Sequence, residues 1–430
     1  MTKKHHSAVA VAAALTFAGQ VTLADAEELV VWHDLGDNGI NWFNQLNELY
    51  QEVEPGTTVT SVSYPTDQWF GKVIASLNTN TAPDLIFNNY ERVIRIQNQT
   101  GKVMDLSEHL PEDTGFLGDA DLQVATYEDR MIIFPIQRVQ MAFGTRKSWL
   151  DAVGAEVPAT WEETLEVAQK FMTEDPDGNG EDDTFGIAIE AAGPRDLVHM
   201  LDLYTFGTGL RHTLVDPEGH VVIADEGHKE VLIEVMKLFT DYQLVAPDSV
   251  NHSFAEMYQV IEGGRAGMFR VGDWNVGKWD GEDVLDGDFV ITTWPAFDEG
   301  DEAAVVIGGM RGVAVPENAS DVDASIKFAQ WMLGAEAQKA SLKHVGASVR
   351  SDFDMSDLNL SERQLQFADP DHPLNAYDFP ESIHPWYPEV EAEYHKRLLA
   401  AIAEPPADWA AFVDELAVEM QALVDEKQKS

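Results

Sequence analysis

The chain has 430 residues, 75 of them Asp or Glu and 28 Lys or Arg, for a net charge of −47, and it contains no cysteine. The length allows two or three domains. The missing cysteine excludes disulfides and thiolate metal sites, and the charge excludes general binding to nucleic acid or an anionic membrane. The acids are interleaved with apolar residues along the chain, which reads as a solvated acidic surface rather than a disordered tail. Such a surface suits a high-salt medium that screens its self-repulsion.

The first 26 residues read as a secretory signal peptide. Lys3, Lys4, His5 and His6 make a polar basic start, Ala8 to Ala18 is an apolar run too short to span a bilayer, and Ala24-Asp25-Ala26 fits a cleavage site. Without a Cys after that run, a bacterial lipid anchor is not expected. The mature chain is expected to begin near Glu27 in the periplasm.

Glu28 to Trp32 then forms a short strand, ending in the polar turn His33 to Gly39. Ile40 to Val53 has helical spacing, Thr57 to Tyr64 alternates like a strand, and Asp67 to Leu77 is helical again. Asp84 to Phe87 is a third strand, followed by a turn from Asn88 to Arg92. This βαβαβ rhythm predicts a mostly parallel sheet with helices on both faces. Met131 to Phe134 and Val139 to Phe143 read as a strand pair around Pro135. Thr160 with Glu163 forms a capping box that opens a helix to about Met172. Thr184 to Ile189 is a strand, and Leu197 to Phe206 and Lys229 to Tyr242 are helices. Val305 to Val315 is a strand, Asp323 to Leu342 one helix, and Asp408 to Lys427 a final one. Residues 352–390 read as irregular.

The stretch Glu262 to Trp279 carries the strongest site signal. Ala266 to Val271 is a buried strand, Gly272-Asp273 breaks it, and Trp274 follows at its carboxyl edge. Ligands in open α/β sheets sit beyond the carboxyl ends of strands, and an indole there offers a flat apolar face. An ordinary core aromatic is the competing reading. Gly272 to Lys278 also fits the start of a phosphate loop, but Trp279 stands where Ser or Thr must hold Mg²⁺, and Asp273 would repel a phosphate. Asp175, Asp177, Asn179, Glu181 and Asp183 space their oxygens as in a calcium loop, with Gly180 at the sixth position. Gly186 stands where a bidentate Glu belongs. Structural Ca²⁺ is therefore expected there, against a Gly/Asp-rich surface turn. No organic cofactor is expected.

Several blocks in shared order carry a resemblance over nearly the whole mature chain. They are Ala82 to Arg92, Trp149 to Phe171, Gly264 to Trp274, Gly308 to Pro316, Ala324 to Ala340, and Val345 to Arg350. The chain resembles the extracellular solute-binding proteins of bacterial ABC sugar importers, the group that includes maltose-binding protein. The resemblance implies an α/β, two-lobe periplasmic-binding-protein fold of type II, each lobe a mostly parallel sheet flanked by helices, with the ligand cleft between them. It places residues 27–138 plus 305–345 in lobe I and 139–304 plus 346–430 in lobe II. The implied site takes His33 and Asp34 after the first strand, Glu91 and Arg92 as an acidic-basic pair for sugar hydroxyls, and Trp274 as the stacking ring. Gly309, Met310 and Arg311 stand at a strand end facing the cleft, and Trp386 is a late aromatic.

There are departures from maltose-binding protein. Asn88 stands where it has an aromatic contact, and Arg195 with Asp196 follow Pro194 where it has two aromatics. Arg138, Arg195, Arg311 and Arg350 stand out because bases are scarce, and they could mark an anionic sugar such as a uronate or simply pair with the many acids.

The expected function is capture of a carbohydrate, a mono- or oligosaccharide, uronate or sugar-derived osmolyte, by hinge closure. Delivery would follow by transient docking of a monomer on membrane permease subunits, without catalysis. Carboxylates and guanidinium groups suit the hydroxyl rim of a sugar and an aromatic suits its C–H face. The alternatives are a secreted glycoside hydrolase, which needs two opposed carboxylates, and the same fold binding a polyamine.

Overall fold

The computed structural model describes residues 27–281, 284–297, 306–368 and 384–429. The first lobe is built from β1 (Glu27–His33), α1 (Gly36–Val53), β2 (Thr57–Ser63), α2 (Thr66–Thr79), β3 (Leu85–Asn89) and α3 (Tyr90–Thr100), then α4 (Asp119–Ala125) and the hairpin β4 (Thr126–Tyr127) and β5 (Arg130–Met131). The long strand β6 (Phe134–Thr145) leads into the second lobe. That lobe holds α5 (Lys147–Val153), α6 (Trp161–Thr173), β7 (Phe185–Ile187), α7 (Pro194–Gly207), α8 (His228–Lys237), α9 (Phe254–Glu262), β8 (Ala266–Gly272), α10 (Asp273–Trp279) and β9 (Val290–Thr292). The chain returns through β10 (Val306–Ala314) to α11 (Val322–Met332) and α12 (Ala335–Val345) against the first lobe. It finishes on the second with α13 (Glu362–Ala368), α14 (Tyr387–Ala403) and α15 (Trp409–Lys427).

Apolar burial separates the lobes. One core gathers residues from Leu29 to Ile136 with Met310 to Val349. A second begins at Val139 and takes in Trp149, Phe171, Tyr204, Tyr394 and Leu416, with a satellite around Phe269 and Trp279.

The strands follow the order β2-β1-β3-β10-β6-β8-β7, with β9 on β6. The sheet is mixed, which corrects the mostly parallel expectation. β2, β1 and β3 run parallel, as do β7 and β8, but β10 is antiparallel to both β3 and β6, and β6 to β8 and β9. The cause is the two connecting strands, which traverse the molecule in opposite directions and insert between the parallel sets.

Other local expectations change for identifiable reasons. β6 is one strand through Pro135, not two around it. Pro135 pairs with Gly312, and the register slips between Arg311 and Gly312, so the missing N–H falls at an irregularity. The expected helix from Asp323 to Leu342 is two, because the chain turns at Leu333-Gly334 and restarts. Residues 352–390 include α13 and the start of α14, and 369–383 lie outside the described residues. The Thr160–Glu163 capping box is present in both directions, at 3.2 and 3.3 Å.

The seam between β6 and β10 is tight. A Cβ on Gly312 would lie 2.4 Å from the Phe134 carbonyl oxygen, which is backbone and cannot swing aside. Gly312→Ala is therefore expected to lower the urea midpoint, by about 1–3 kcal/mol of stability. Gly56→Ala, at a position with open space around it, should leave the midpoint in place.

Candidate functional site

Strand ends from both lobes meet where β10 crosses. Gly272 ends β8, and a Cβ there would lie 2.4–2.5 Å from the Trp274 ring, so only glycine lets the indole fold back over the strand end. Asn275 accepts from the Gly272 N–H at 3.2 Å and from the Tyr258 hydroxyl at 2.9 Å, and this starts α10 with Trp274 in its first turn. The Trp274 side chain is half-buried. The Arg311 guanidinium stands 5.9 Å from the ring centroid. Arg311 Nε donates to Asn89 Oδ1 at 2.8 Å, and Asn89 Nδ2 donates to Glu91 Oε1 at 3.0 Å. One run of contacts thus links the indole of the second lobe to the acid of the first. Beside it Arg92 donates to Asp34 at 2.6 Å.

The far wall is α7 with α14. Arg195 lies 3.0 Å from Asp202 and 3.6 Å from Glu391. Desolvation opposes its charge, but those two carboxylates, with smaller help from Tyr387 and Glu91, hold its pKa above the ordinary value. Burial raises the Glu391 carboxyl, partly offset by Arg195 and by Arg95 on α3.

Of the residues singled out in the sequence, Asp34, Glu91, Arg92, Trp274 and Arg311 come together here, with Arg195 opposite. The rest are placed otherwise. His33 is fully buried: it stacks on Phe43 at 5.2 Å, its Nδ1 accepts from the Leu35 N–H, and burial pushes its pKa down to about 4. It fixes the turn instead of facing a ligand. Met310 is fully buried in the first core, and Asn88 is buried with its Oδ1 bonded to the Asn89 N–H. Asp196 accepts from the Gly193 N–H at 2.9 Å and caps α7. Trp386 stacks on His384 at 4.6 Å against the second core. Arg138 grips Asp121 at 2.8 and 2.5 Å, and Arg350 grips Asp352 at 2.6 and 2.8 Å. Both arginines line a pocket at the crossing with Gln140, Asp273, Gly346 and Ser348.

The loop from Asp175 to Asp183, expected to hold Ca²⁺, is folded on itself. Gly180 N donates to Asp175 Oδ2 at 3.1 Å, Asn179 Nδ2 donates to Asp177 at 2.8 Å and Asp183 at 3.2 Å, and Glu181 N donates to Asn179 at 2.6 Å. Among the described residues no three His, Asp or Glu side chains converge on a point that could hold a metal.

Sequence reasoning missed Asn89, Asp273 as a structural acid, and Phe254, whose ring lies 6.5 Å from that of Trp274 at 23°. Asn89 was within reach, since one step along a strand moves a side chain to the other face. Asp273 accepts from the Gln140 N–H at 3.0 Å and is 3 % exposed.

The chain belongs to a family of secreted binding proteins: residues 36–339 match the bacterial extracellular solute-binding protein family. Among solved structures it is similar to maltose-bound MalE3 of T. maritima, with a TM-score of 0.74, 15 % identity, and 93 % of this chain and 100 % of that one covered. It is also similar to the GacH receptor of Streptomyces glaucescens, solved unliganded and with acarbose, with a TM-score of 0.73, 16 % identity, and 92 % and 99 % covered. A curated relative, the polygalacturonan/rhamnogalacturonan-binding protein YtcQ of Bacillus subtilis, is 51 % identical over 43 residues, 10 % of this chain and 9 % of that one. The chain thus matches about a tenth of that relative's length.

Burial pushes the Asp273 carboxyl from 3.8 up to about 8, against the opposing pull of the Gln140 N–H and Arg311. Below about pH 4 the group is protonated in folded and unfolded chains alike. Between about 4 and 8 only the folded chain keeps the proton, so this carboxyl's contribution to stability falls as pH rises through that window. Asp273→Asn is expected to raise the melting temperature at pH 8 and above, with the gain shrinking towards pH 4, as a pH series of thermal melts will show.

Proposed function

We propose that this protein captures a neutral carbohydrate between its lobes, without turning it over, and delivers it to an ABC permease at the membrane. The observation that carries this reading is the run Trp274, Arg311, Asn89, Glu91: a flat apolar face continuous with a hydroxyl-binding edge, on elements of both lobes. A few convergent polar groups around an aromatic is the form a small-ligand cleft takes. The maltose and acarbose in the similar structures support a sugar.

Charge pairing favours a neutral sugar over a uronate. Arg138, Arg195 and Arg350 are each committed to a carboxylate. A polyamine is disfavoured in the same way, since Asp34, Asp202 and Glu391 already face guanidinium groups. Secretion through the 1–26 leader to the periplasm and action as a monomer complete the reading. That leader lies outside the described residues, and among the described residues no helix is long and apolar enough to cross a membrane.

The test is a thermal-shift screen with maltose, maltotriose, kestose, ribitol, digalacturonate and spermidine. A neutral sugar is expected to raise the melting temperature and be recovered intact. Ligand at a hundredfold excess over Kd adds about 2.7 kcal/mol. Trp274→Ala is expected to weaken binding about tenfold or more. A response confined to digalacturonate or spermidine, or hydrolysis of the sugar, overturns the reading.

For the loop from Asp175 to Asp183 we infer a structural Ca²⁺. Its support is the oxygen spacing and the bond from Gly180 N to Asp175 Oδ2, which closes the loop as such a site needs. Asn179 must release Asp177 and Asp183 when the ion enters. Chelation is expected to lower the melting temperature and added Ca²⁺ to restore it; identical melts dispose of the ion.

A further inference from the structure

We propose that Asp273 is a positioning residue for Trp274 that works in its neutral form, so that ionising it loosens the indole and weakens capture. This rests on the reading of Trp274 as the sugar-facing ring. Asp273 stands directly before that ring, where elements of both lobes meet. From β6, the Gln140 N–H donates to its Oδ2 at 3.0 Å. From the end of α12, Gly346 presses on its backbone: a Cβ there would lie 2.4 Å from the Asp273 carbonyl oxygen and 3.1 Å from the Trp274 nitrogen. Gly346 also holds φ at +75°, so the close approach needs glycine twice over.

The first-lobe half of this seat is stiff. Buried Gln137 donates through Nε2 to Ser341 Oγ at 2.9 Å, and Ser341 donates to the Ala347 carbonyl at 2.5 Å. Buried Gln338 accepts from the Val349 N–H at 2.9 Å and from Ser348 Oγ at 2.6 Å. Residues 346–349 therefore move with α12. The half that can give is the seven-residue α10, which opens on Asp273 and Trp274. Between the halves lies a pocket of about 120 Å³.

Asp273 is 3 % exposed, and among the described residues its Oδ1 meets no hydrogen-bond partner. The neutral acid keeps Oδ2 on Gln140 and carries its proton on Oδ1. The ionised acid leaves an unmatched charge out of reach of water, which is costly. The relief is to part Asp273 from Gly346 and admit water to the pocket. Because the Trp274 nitrogen lies against the same glycine, the indole shifts with it. The charged groups around the seat do not take over this role. Arg138 on β6 and Arg350 beyond α12 line the pocket but are held by Asp121 and Asp352. Arg311 on β10 pulls against the neutral acid, yet its Nε is tied to Asn89. Arg270 on β8 is held by Glu190, Lys278 on α10 by Glu262, and Arg363 on α13 by Asp280. His344, near the end of α12, turns to Gln45. With burial pushing the Asp273 carboxyl up to about 8, the acid is neutral below that pH and ionised above it, so the change falls in mildly alkaline medium.

The test reads the indole first, without sugar and at constant ionic strength. Acrylamide quenching of the wild type minus that of Trp274→Phe isolates the Trp274 indole. This difference is expected to rise between pH 7 and pH 9. In the Asp273→Asn background, where Asn keeps an acceptor for Gln140 and cannot ionise, the same difference is expected to stay level. Gly346→Ala, which parts the seat at any pH, is expected to raise quenching already at pH 7. Calorimetric titration with maltotriose and with kestose follows. Wild-type affinity is expected to fall about tenfold from pH 7 to pH 9, since only about one molecule in eleven then keeps the neutral acid, and Asp273→Asn is expected to abolish that slope. Level quenching in the wild type, an equal rise in Asp273→Asn, or a rise with no loss of affinity overturns the proposal. Failure of both sugars to bind counts against the carbohydrate reading alone, because the quenching series still decides the seat.

Discussion

The pairing of β6 with β10 sets the geometry of everything around the cleft. Their antiparallel ladder runs from Val306 opposite Met141 to Val313 opposite Phe134. On its other edge β10 pairs with β3, which brings Arg311 opposite Asn89. The far half of β6 pairs with β8, whose last residue precedes Asp273 and Trp274. One hydrogen-bonded seam therefore fixes how far the indole stands from the polar edge of the first lobe. The ladder is irregular at two places, between Ile307 and Gly309 and between Arg311 and Gly312. Such slips bend and twist a strand locally, and the two bracket Arg311. The residue that joins the two halves of the site thus sits between two irregularities of the ladder.

Much of this architecture could be read from short-range patterns. The alternation of strands and helices through Leu77, the capping box at Thr160 and the strand before Trp274 all rest on local spacing, and all stand close to where the spacing puts them. What escaped depends on contacts distant in sequence. The seven-residue α10 is too short to show a helical period, and its start depends on Asn275 turning back to Gly272. The sheet's mixed sense cannot be seen from β1 to β3 alone, because the strands that reverse it come later in the chain. Arg138 and Arg350 drew notice for rarity, yet their carboxylate partners could be assigned only with coordinates. His33 and Met310 show the opposite error, where position in a ligand-facing segment concealed a side chain turned inward.

Acid is abundant in this chain, but several of the acids beside the site are not free negative charge. Asp34 is joined to Arg92, and Asp202 and Glu391 to Arg195. Burial raises the carboxyls of Glu190, Asp196, Glu391 and Asp273 above their ordinary range. Most charge beside the site is thus matched or suppressed, while Glu91 and Arg311 are held by the uncharged Asn89 amide. That suits a solute with many hydroxyls and no charge, since an unmatched ion trapped on closure would carry a heavy desolvation cost.

In the proposed capture, the same arrangement separates long-range attraction between the lobes from the short-range contacts offered to a sugar. Glu91 acts on Arg195, and Arg95 on Glu391, across the gap between α3 and the wall of α7 and α14. Charges attract over several ångströms, and where they reach solvent the attraction weakens with salt, because screening acts over about 8 Å at physiological ionic strength. Stacking on Trp274 and hydrogen bonds to Asn89 and Glu91, as proposed for a sugar, would act at contact and depend far less on salt. In a chain with so large an excess of acid, a grip made of short-range terms would keep affinity steady while ionic strength varies. The long-range couples then influence mainly how readily the lobes approach.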